Sequence, residues 1–131
     1  MERKIDQDQG AEGSTGQLTN RRVVITGGSS GIGLATARAV VRAGGGVVIV
    51  GRSVERIAQA RGEIATPEAG VEGYPVDVAD EGAVKAFFER VGAFDHLVLS
   101  SGVTAAGPFL ELDTGAAREH FEGKFWGYYY A

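Results

Sequence analysis

The sequence predicts an α/β fold in which a parallel sheet of about four strands has helices on both faces. Short β-branched runs alternate with amphipathic stretches of helical length along most of the 131 residues. This alternation is typical of strand–helix–strand units, which make neighbouring strands parallel and place the helices against the sheet. Glycine is also abundant, with 21 residues against 3 prolines, as tight turns and close backbone packing require.

The first two strands flank one helix. The run at 22–26 predicts a strand buried on both faces. Residues 32–43 predict a helix that ends at the three glycines 44–46. A second buried strand is predicted at 47–50. The expected buried face of the helix consists of Ile32, Ala35, Ala39 and Val40.

Two further strands and three helices follow. Ser53 is expected to cap a helix that runs to about residue 61. Residues 71–76 predict a weaker strand, and Pro75 suggests that it lies at the sheet edge. The remaining predicted elements are a helix at 81–90 that Asp80 caps and Gly92 ends, a strand at 96–100 and a helix from near Asp113 to the C-terminus.

Composition restricts the classes of function. Apolar residues make up 44% of the chain, enough for one domain with one core. The formal net charge of −4 argues against a general nucleic-acid-binding surface. No stretch has the roughly 18 apolar residues of a membrane span, and the N-terminus lacks an apolar signal core. There is no cysteine, which excludes disulfides and thiolate metal sites. We therefore expect a soluble cytoplasmic protein without a membrane or nucleic-acid partner.

The chain is expected to divide at residue 20. Residues 1–19 are polar and glycine-rich, and Ile5 and Leu18 are their only large aliphatic side chains. A segment of this kind buries little surface, so we predict a mobile polar arm. Simple extension is favoured over a binding tail. Residues 20–131 hold every predicted strand and helix and form the expected folded domain.

A glycine-rich turn, residues 26–33, joins the first strand to the first helix with the sequence Thr-Gly-Gly-Ser-Ser-Gly-Ile-Gly. Unpaired N–H groups and the helix dipole favour a phosphate at the start of that helix. A flexible turn without a ligand is the alternative, but the strand before and the helix after it favour dinucleotide binding. The predicted contacts are Gly27, which turns the chain off the strand, Gly31, which admits a pyrophosphate, Gly33, which packs the helix closely, and Ser29, Ser30 and Ile32.

With this Thr-Gly-x-x-x-Gly-x-Gly spacing, the chain resembles the short-chain dehydrogenase/reductase family from about Leu18 to Ala131. The resemblance implies a Rossmann-like NAD(P)-binding domain and hydride transfer between a nicotinamide and a carbonyl or alcohol carbon. Only the N-terminal part of the family pattern is present, so we expect an incomplete domain at 20–131, truncated to about four strands.

The residues after the second strand indicate the cofactor. NAD-specific Rossmann folds place an acid there, about 20 residues beyond the glycines, on the ribose 2′-OH. This chain has Gly51 instead, followed by Arg52 and Ser53. A guanidinium suits a 2′-phosphate, and the serine could add a hydroxyl donor. The position favours NADP(H) over NAD(H), the alternative being that Arg52 is a solvated loop residue.

Two further positions match the family in part. Asp77 and Val78 resemble its Asp-Val pair, which implies contact with the adenine; a helix-entry turn is the alternative. Where the family has Asn-Asn-Ala-Gly, this chain has Leu-Ser-Ser-Gly at 99–102. Gly102 matches and Ser100 replaces the central asparagine with only part of its hydrogen-bonding capacity. The resemblance implies that both contact the cofactor.

Catalytic residues are the weakest part of the match. Lys124 stands at the position of the family's relay asparagine, where a lysine with a pKa lowered by burial could serve; a surface lysine is the alternative. The family's catalytic Ser and Tyr-x-x-x-Lys pair are absent, and Tyr128, Tyr129 and Tyr130 have no such lysine. His96 and His120 lack metal-ligand spacing, so no metal site is expected. We predict that the chain alone is inactive.

Two functions remain open. The chain is either the N-terminal part of an NADP(H)-dependent oxidoreductase or a catalytically inactive half-Rossmann module for nucleotide binding or self-assembly. The family's strand order places the third, second, first and fourth strands side by side, so the fourth strand would be an apolar edge, which is prone to association. We expect a homodimer, or pairing with a missing C-terminal half, through this edge and the helix that contains Phe125, Trp126 and Tyr128.

Overall fold

The computed structural model describes residues 16–102 and 107–131. Its strands are β1 (Arg22–Thr26), β2 (Gly46–Gly51), β3 (Val71–Pro75) and β4 (His96–Leu99). Its helices are α1 (Gly31–Arg42), α2 (Val54–Ile64), α3 (Glu81–Val91), a 3-10 turn (Phe109–Glu111), α4 (Thr114–Phe121), a π-helical segment (Glu122–Trp126) and α5 (Gly127–Tyr130). Residues 1–15 of the expected N-terminal arm lie outside the described residues, so the arm stays a prediction.

The strands form one parallel sheet in the order β3-β2-β1-β4. This confirms the predicted fold class, the predicted order and the edge position of the third strand. From β1 the chain moves outward to β3 and then returns to the other side of β1 for β4. In sheets of this kind, ligands bind at the carboxyl ends of the strands, where the order reverses. Here that point lies between β1 and β4.

Two hydrophobic clusters cover the two faces of the sheet, because successive side chains of a strand point to opposite faces. The first cluster joins β1 and β2 to α1 and α2, with the buried residues Val23, Ile25, Val47, Ile49, Ala37, Val40, Val41, Ala60, Ile64 and Ala69. The second joins β1 and β2 to α3 and to the end of α5, with the buried residues Val24, Val48, Val50, Val76, Val78, Val84, Phe87 and Val91. Helices therefore pack on both faces, as predicted.

The predicted buried face of α1 is wrong except at Val40. The helix buries Gly33, Ala37, Val40 and Val41, whereas Ile32 is 80% exposed. The sequence prediction placed the most apolar residue of the first turn inward. In the structure that residue borders the carboxyl end of the sheet, and the glycine beside it faces inward instead.

The last helix begins as predicted, since the Asp113 carboxylate accepts a hydrogen bond from the Ala116 N–H at 3.2 Å. Its π-helical segment was not predicted. Such segments are rare and occur often at functional sites. Leu18, at the end of the expected arm, contacts the sheet and its helices: its N–H donates to the Ala43 carbonyl at 2.9 Å, and its side chain packs against the first cluster. The boundary at residue 20 stays a prediction.

The amino end of the sheet is tied together by a set of polar contacts around Arg22, which we call the Arg22 clamp. The Arg22 guanidinium donates to the Val91 and Ala93 carbonyls and to the Glu72 carboxylate. The Asp95 carboxylate accepts from the Arg22 N–H at 2.8 Å, and it also pairs with the neighbouring Arg21. The clamp thereby joins β1 to β3 and to the segment that leads into β4.

Candidate functional site

A cleft of about 1130 Å³ opens at the carboxyl ends of the strands, opposite the Arg22 clamp. Its walls come from the turn after β1, the segments after β2, β3 and β4, and the last helix. The cleft brings together all but one of the residues singled out from the sequence: Gly27, Ser29, Ser30, Gly31, Ile32, Arg52, Ser53, Asp77, Val78, Ser100, Gly102 and Lys124. Gly33 lies beneath the turn and does not border the cleft.

Gly31 and Gly33 suit their positions in the turn for different physical reasons. A Cβ on Gly33 would lie 2.1 Å from the Gly27 carbonyl oxygen, so only glycine lets α1 begin so close under the turn. Gly31 has a φ of +51°, and a Cβ there would meet no atom within 4 Å. The space above Gly31 is therefore open towards the cleft, and the backbone there can be approached by a ligand.

Helix α1 differs from its neighbours in how its N-terminus is satisfied. Ser53, Asp80 and Asp113 cap α2, α3 and α4 through side-chain hydrogen bonds. Ser30, at the same position of α1, makes no such bond, and the first turn of α1 contains no acid. The positive end of this helix dipole thus faces the cleft with neither a side-chain cap nor an acid in its first turn, which favours a bound phosphate.

Two guanidinium groups border one end of the cleft. Arg52 follows β2 and Arg56 lies in the first turn of α2. Neither has an ion-pair partner in the described part of the chain. Arg56 was missed by the sequence analysis, because its place at the cleft depends on the direction of α2.

The Ser53 hydroxyl is already engaged. It donates to the Glu55 carboxylate at 2.9 Å and accepts from the Arg56 N–H at 3.2 Å. The pKa of Glu55 is lowered, first by a hydrogen bond from its own backbone N–H and then by the Ser53 hydroxyl. Ser53 therefore caps α2, which was one of its two predicted roles; the other was to donate its hydroxyl to a 2′-phosphate.

The segment after β3 places a carboxylate beside an apolar wall. Asp77 is exposed, and its Oδ1 accepts from the Ala79 N–H at 3.0 Å, which makes the turn into α3. Val78 is buried against the second cluster and packs beneath Gly127 of the last helix. Both predicted readings of Asp77 are compatible with this arrangement, because the turn uses only one of its two carboxylate oxygens.

The end of β4 lies directly against the glycine-rich turn. The Ser100 N–H donates to the Thr26 carbonyl at 3.1 Å and contacts the Thr26 hydroxyl at 3.3 Å. A Cβ on Gly27 would lie 2.8 Å from the Ser101 Cα. Ser101, which the sequence analysis did not select, borders the cleft at this junction, and its Oγ is buried without a hydrogen-bond partner among the described residues.

Lys124 lies in the cleft and not on the outer surface of the helix. Its alkyl chain crosses Gly102, where an added Cβ would lie 2.6 Å from the Lys124 Cε. Its ammonium group lies 5.9 Å from the centre of the Tyr128 ring, within cation–π distance. The π-helical segment holds Lys124, and Glu119, Glu122 and Tyr128 border the cleft beside it.

The predicted aromatic group divides between two faces of the last helix. Tyr128 borders the cleft, whereas Phe121, Phe125, Trp126 and Tyr129 are exposed. Trp126 contacts the rings of Phe125, Tyr129 and Tyr130. Partial burial, followed by the charges of Glu81 and Glu122, raises the pKa of Tyr130, which does not suit a proton donor at neutral pH.

Within the described ranges, no group of three or more His, Asp or Glu side chains is placed to hold a metal ion. None of the helices described is long and apolar enough to cross a membrane.

Comparison with known proteins gives a family match over most of the chain. The family model described as short chain dehydrogenase matches residues 21–131. A 3-dehydrosphinganine reductase of Arabidopsis thaliana is 44% identical over 85 residues, which are 63% of this chain and 25% of that protein. An L-xylulose reductase of Mus musculus is 36% identical over 104 residues, or 79% of this chain and 41% of that protein. The matches thus span between a quarter and about two fifths of these curated relatives.

Solved structures agree with the fold. A short chain dehydrogenase/reductase family protein superposes with a TM-score of 0.80 at 29% identity, covering 87% of this chain and 47% of the other. A citronellol catabolism dehydrogenase of Pseudomonas aeruginosa superposes with a TM-score of 0.77 at 29% identity, covering 88% of this chain and 49% of the other. In both comparisons this chain matches about half of the solved protein's chain.

Proposed function

The chain belongs to the short-chain dehydrogenase family, and from this premise we propose that its cleft binds NADP(H) as part of an oxidoreductase. The observation that supports this most strongly is the coincidence of three features in one cleft. These are a helix N-terminus without a side-chain cap, open space above Gly31 and, within the described ranges, two guanidinium groups without an ion-pair partner. Each suits a phosphate-bearing ligand, and their positions after both β1 and β2 suit a dinucleotide better than a single phosphate.

We propose that the adenosine half lies over the ends of β2 and β3. Arg52 would bind the 2′-phosphate, since its guanidinium has no ion-pair partner among the described residues and no acid stands at position 51. Asp77 and Val78 would contact the adenine, with the free Asp77 oxygen as hydrogen-bond acceptor and Val78 as part of the ring pocket. The diphosphate would lie at the N-terminus of α1, between Gly27 and Gly31.

The nicotinamide, when bound, supplies or accepts the hydride in exchange with a carbonyl or alcohol carbon. The residues of this chain bind and orient the cofactor at the carboxyl end of the sheet. Tyr74 is followed four positions later by Val78 and not by a lysine, and we propose that these 131 residues by themselves bind the cofactor without turnover. Carbonyl-dependent oxidation of NADPH by the purified chain would contradict this.

Titration calorimetry tests the cofactor proposal. We expect NADPH to bind at least tenfold more tightly than NADH. Arg52→Gln should weaken NADPH binding by about tenfold and leave NADH unchanged, because a charge-assisted hydrogen bond contributes about 1.5 kcal/mol or more. Arg90→Gln, which removes an exposed guanidinium of α3 outside the cleft, is the matched control. Equal affinity for both cofactors in the wild-type chain would exclude the NADP(H) preference.

A second candidate function is self-assembly without catalysis. It is favoured by the aromatic surface of the last helix, where Phe125 is 53% and Tyr129 is 75% exposed, together with the edge position of β4. Exposed aromatic patches of this kind often mark protein interfaces. We propose a homodimer, or pairing with a further part of the native protein, through this surface. Light scattering with wild-type chain and with Phe125→Ser/Tyr129→Ser tests it; a monomer for both would exclude a homodimer.

We further propose a cytoplasmic location, which fractionation of cells that express the native protein would test.

A further inference from the structure

The Ser101 hydroxyl is a buried polar group at the cleft that has no hydrogen-bond partner among the described residues. A buried hydroxyl without a partner destabilises a fold, since it has lost its hydrogen bonds to water without replacement. Such groups are rare in folded proteins and each one needs a physical reason.

The unpaired Ser101 hydroxyl differs from the polar groups around it. The neighbouring Ser100 N–H is satisfied by the Thr26 carbonyl, so the backbone donor beside Ser101 does have a partner. The other buried polar atom without a partner among the residues described is the His120 Nδ1, and His120 does not border the cleft. Ser101 does border it. Because rotation about one bond moves a serine hydroxyl between staggered positions, its Oγ can turn towards a ligand that offers an acceptor.

The topology indicates which part of a dinucleotide would offer it. Ser101 stands between the glycine-rich turn, which it meets at Gly27, and the Lys124 chain, which crosses the next residue, Gly102. In the order β3-β2-β1-β4, the end of β4 lies across β1 from the ends of β2 and β3. A dinucleotide whose adenosine half lies over β2 and β3 and whose diphosphate lies at the turn must extend its other half over β4.

We propose that the Ser101 hydroxyl donates a hydrogen bond to a ribose oxygen of the nicotinamide half of bound NADP(H). This inference rests on the proposed function. It has a second consequence: the cofactor-free chain is less stable because of this hydroxyl, and the cofactor relieves that deficit on binding. Affinity and cofactor-free stability should therefore respond to its removal in opposite directions.

The test is Ser101→Ala in the 131-residue chain, with two probes and two measurements. Calorimetry should show NADPH binding weakened by about fivefold, the usual effect of one lost hydrogen bond. Adenosine 2′,5′-bisphosphate, which contains the adenosine half alone, should bind both proteins equally. Without cofactor, the urea midpoint of Ser101→Ala should be higher than that of the wild type. Ser101→Cys, which keeps the size but donates weakly, should lose NADPH affinity like the alanine variant.

The outcomes separate this inference from the proposed function. If the wild-type chain binds neither NADPH nor the bisphosphate, the proposed function falls and this inference with it. If the wild type binds NADPH and Ser101→Ala binds it equally well, only the role of Ser101 is excluded. An equal loss of affinity for both probes would contradict the placement on the nicotinamide side. Weakened binding in the alanine but not in the cysteine variant would show that Ser101 acts by packing.

Discussion

The two ends of the sheet use their polar groups in opposite ways. At the amino end, the Arg22 guanidinium bonds to two carbonyls and to Glu72, and the Asp95 carboxylate is bonded by Arg22 and Arg21. At the carboxyl end, Arg52 and Arg56 have no ion-pair partner within the described ranges, and the N-terminus of α1 has no side-chain cap. The charged groups at the amino end of the sheet are thus bonded within the protein, whereas those at the carboxyl end are available to a ligand.

This difference separates what holds the domain together from what serves a ligand. Charges that bond within the protein give stability and no recognition, whereas unpaired cations beside a cleft contribute little stability but favour an anion. Substitutions at the amino end should therefore change stability alone. Substitutions at the carboxyl end should change binding, and should change stability only where they alter backbone packing.

The largest effect is expected for Gly33→Ala, which disturbs the backbone packing at the carboxyl end of the sheet. The new Cβ would lie 2.1 Å from the Gly27 carbonyl oxygen and 2.7 Å from its carbon. Backbone atoms cannot rotate away, so α1 or the turn must shift. We expect the free energy of unfolding to fall by about 3 kcal/mol and NADPH binding to be lost, as measured by urea denaturation and calorimetry.

Gly62→Ala is the matched control for that substitution. Gly62 lies within α2, and a Cβ there would meet no atom within 4 Å. The same chemical change should therefore raise stability by about 0.5–1 kcal/mol, because alanine is the better helix former, and should leave NADPH binding intact. A Gly33→Ala protein as stable as wild type would show that the turn tolerates displacement, and the assigned role of Gly33 would be wrong.

Arg22→Met breaks the amino end without touching the cleft. Methionine keeps much of the alkyl packing but leaves the Val91 and Ala93 carbonyls and Glu72 without this donor. Because the arginine side chain is 27% exposed, water replaces part of what is lost, and we expect a loss of about 1–2 kcal/mol. NADPH affinity should stay within about twofold of the wild type. A large loss of affinity would show that the two ends are coupled.

Most of the fold followed from the sequence because its signals were local. β-Branched runs, capping residues such as Asp80 and Asp113, and glycine clusters predicted the strands and the helix starts, whereas the sheet order followed from the resemblance to the family. The buried face of α1 did not follow, because the most apolar residue of its first turn, Ile32, is 80% exposed at the cleft. Periodicity cannot tell an apolar residue that faces the core from one that borders a cleft.

The residues of the candidate site were predictable where they belong to a sequence motif. They were not predictable where only tertiary contacts bring them to the cleft. The glycine-rich turn, Arg52 and Asp77 stood out by spacing and by position after strands. Ser101 and Arg56 did not, since Ser101 depends on which hydroxyl is left unpaired after folding and Arg56 on the direction of α2. Lys124 was found, but its place over Gly102 depends on the π-helical segment, for which the sequence has no reliable signal.

The smallest expected effect is the pH dependence of stability that Asp95 contributes at the amino end of the sheet. The backbone N–H of Arg22, and then the Arg21 guanidinium, lower the pKa of Asp95 below its ordinary value of about 3.9. A carboxyl whose pKa is lowered by folding stabilises the protein above the unfolded pKa and loses that contribution as the pH falls through the folded one. The Arg22 clamp should therefore be at full strength at neutral pH and weaken only in acid.

Asp95→Asn tests this, since the amide retains an acceptor for the Arg22 N–H but not the charge. Its urea midpoint should lie below that of the wild type by a constant amount from pH 7 down to about pH 5, and the gap should close below about pH 4. Glu68→Gln, at an exposed carboxylate that makes no described contact, should show no gap at any pH. A gap that persists unchanged in acid would mean that the geometry of Asp95, and not its charge, holds the amino end. NADPH affinity should be unaffected at pH 7, because a charge already neutralised within the clamp has no influence on the free cations at the other end of the sheet.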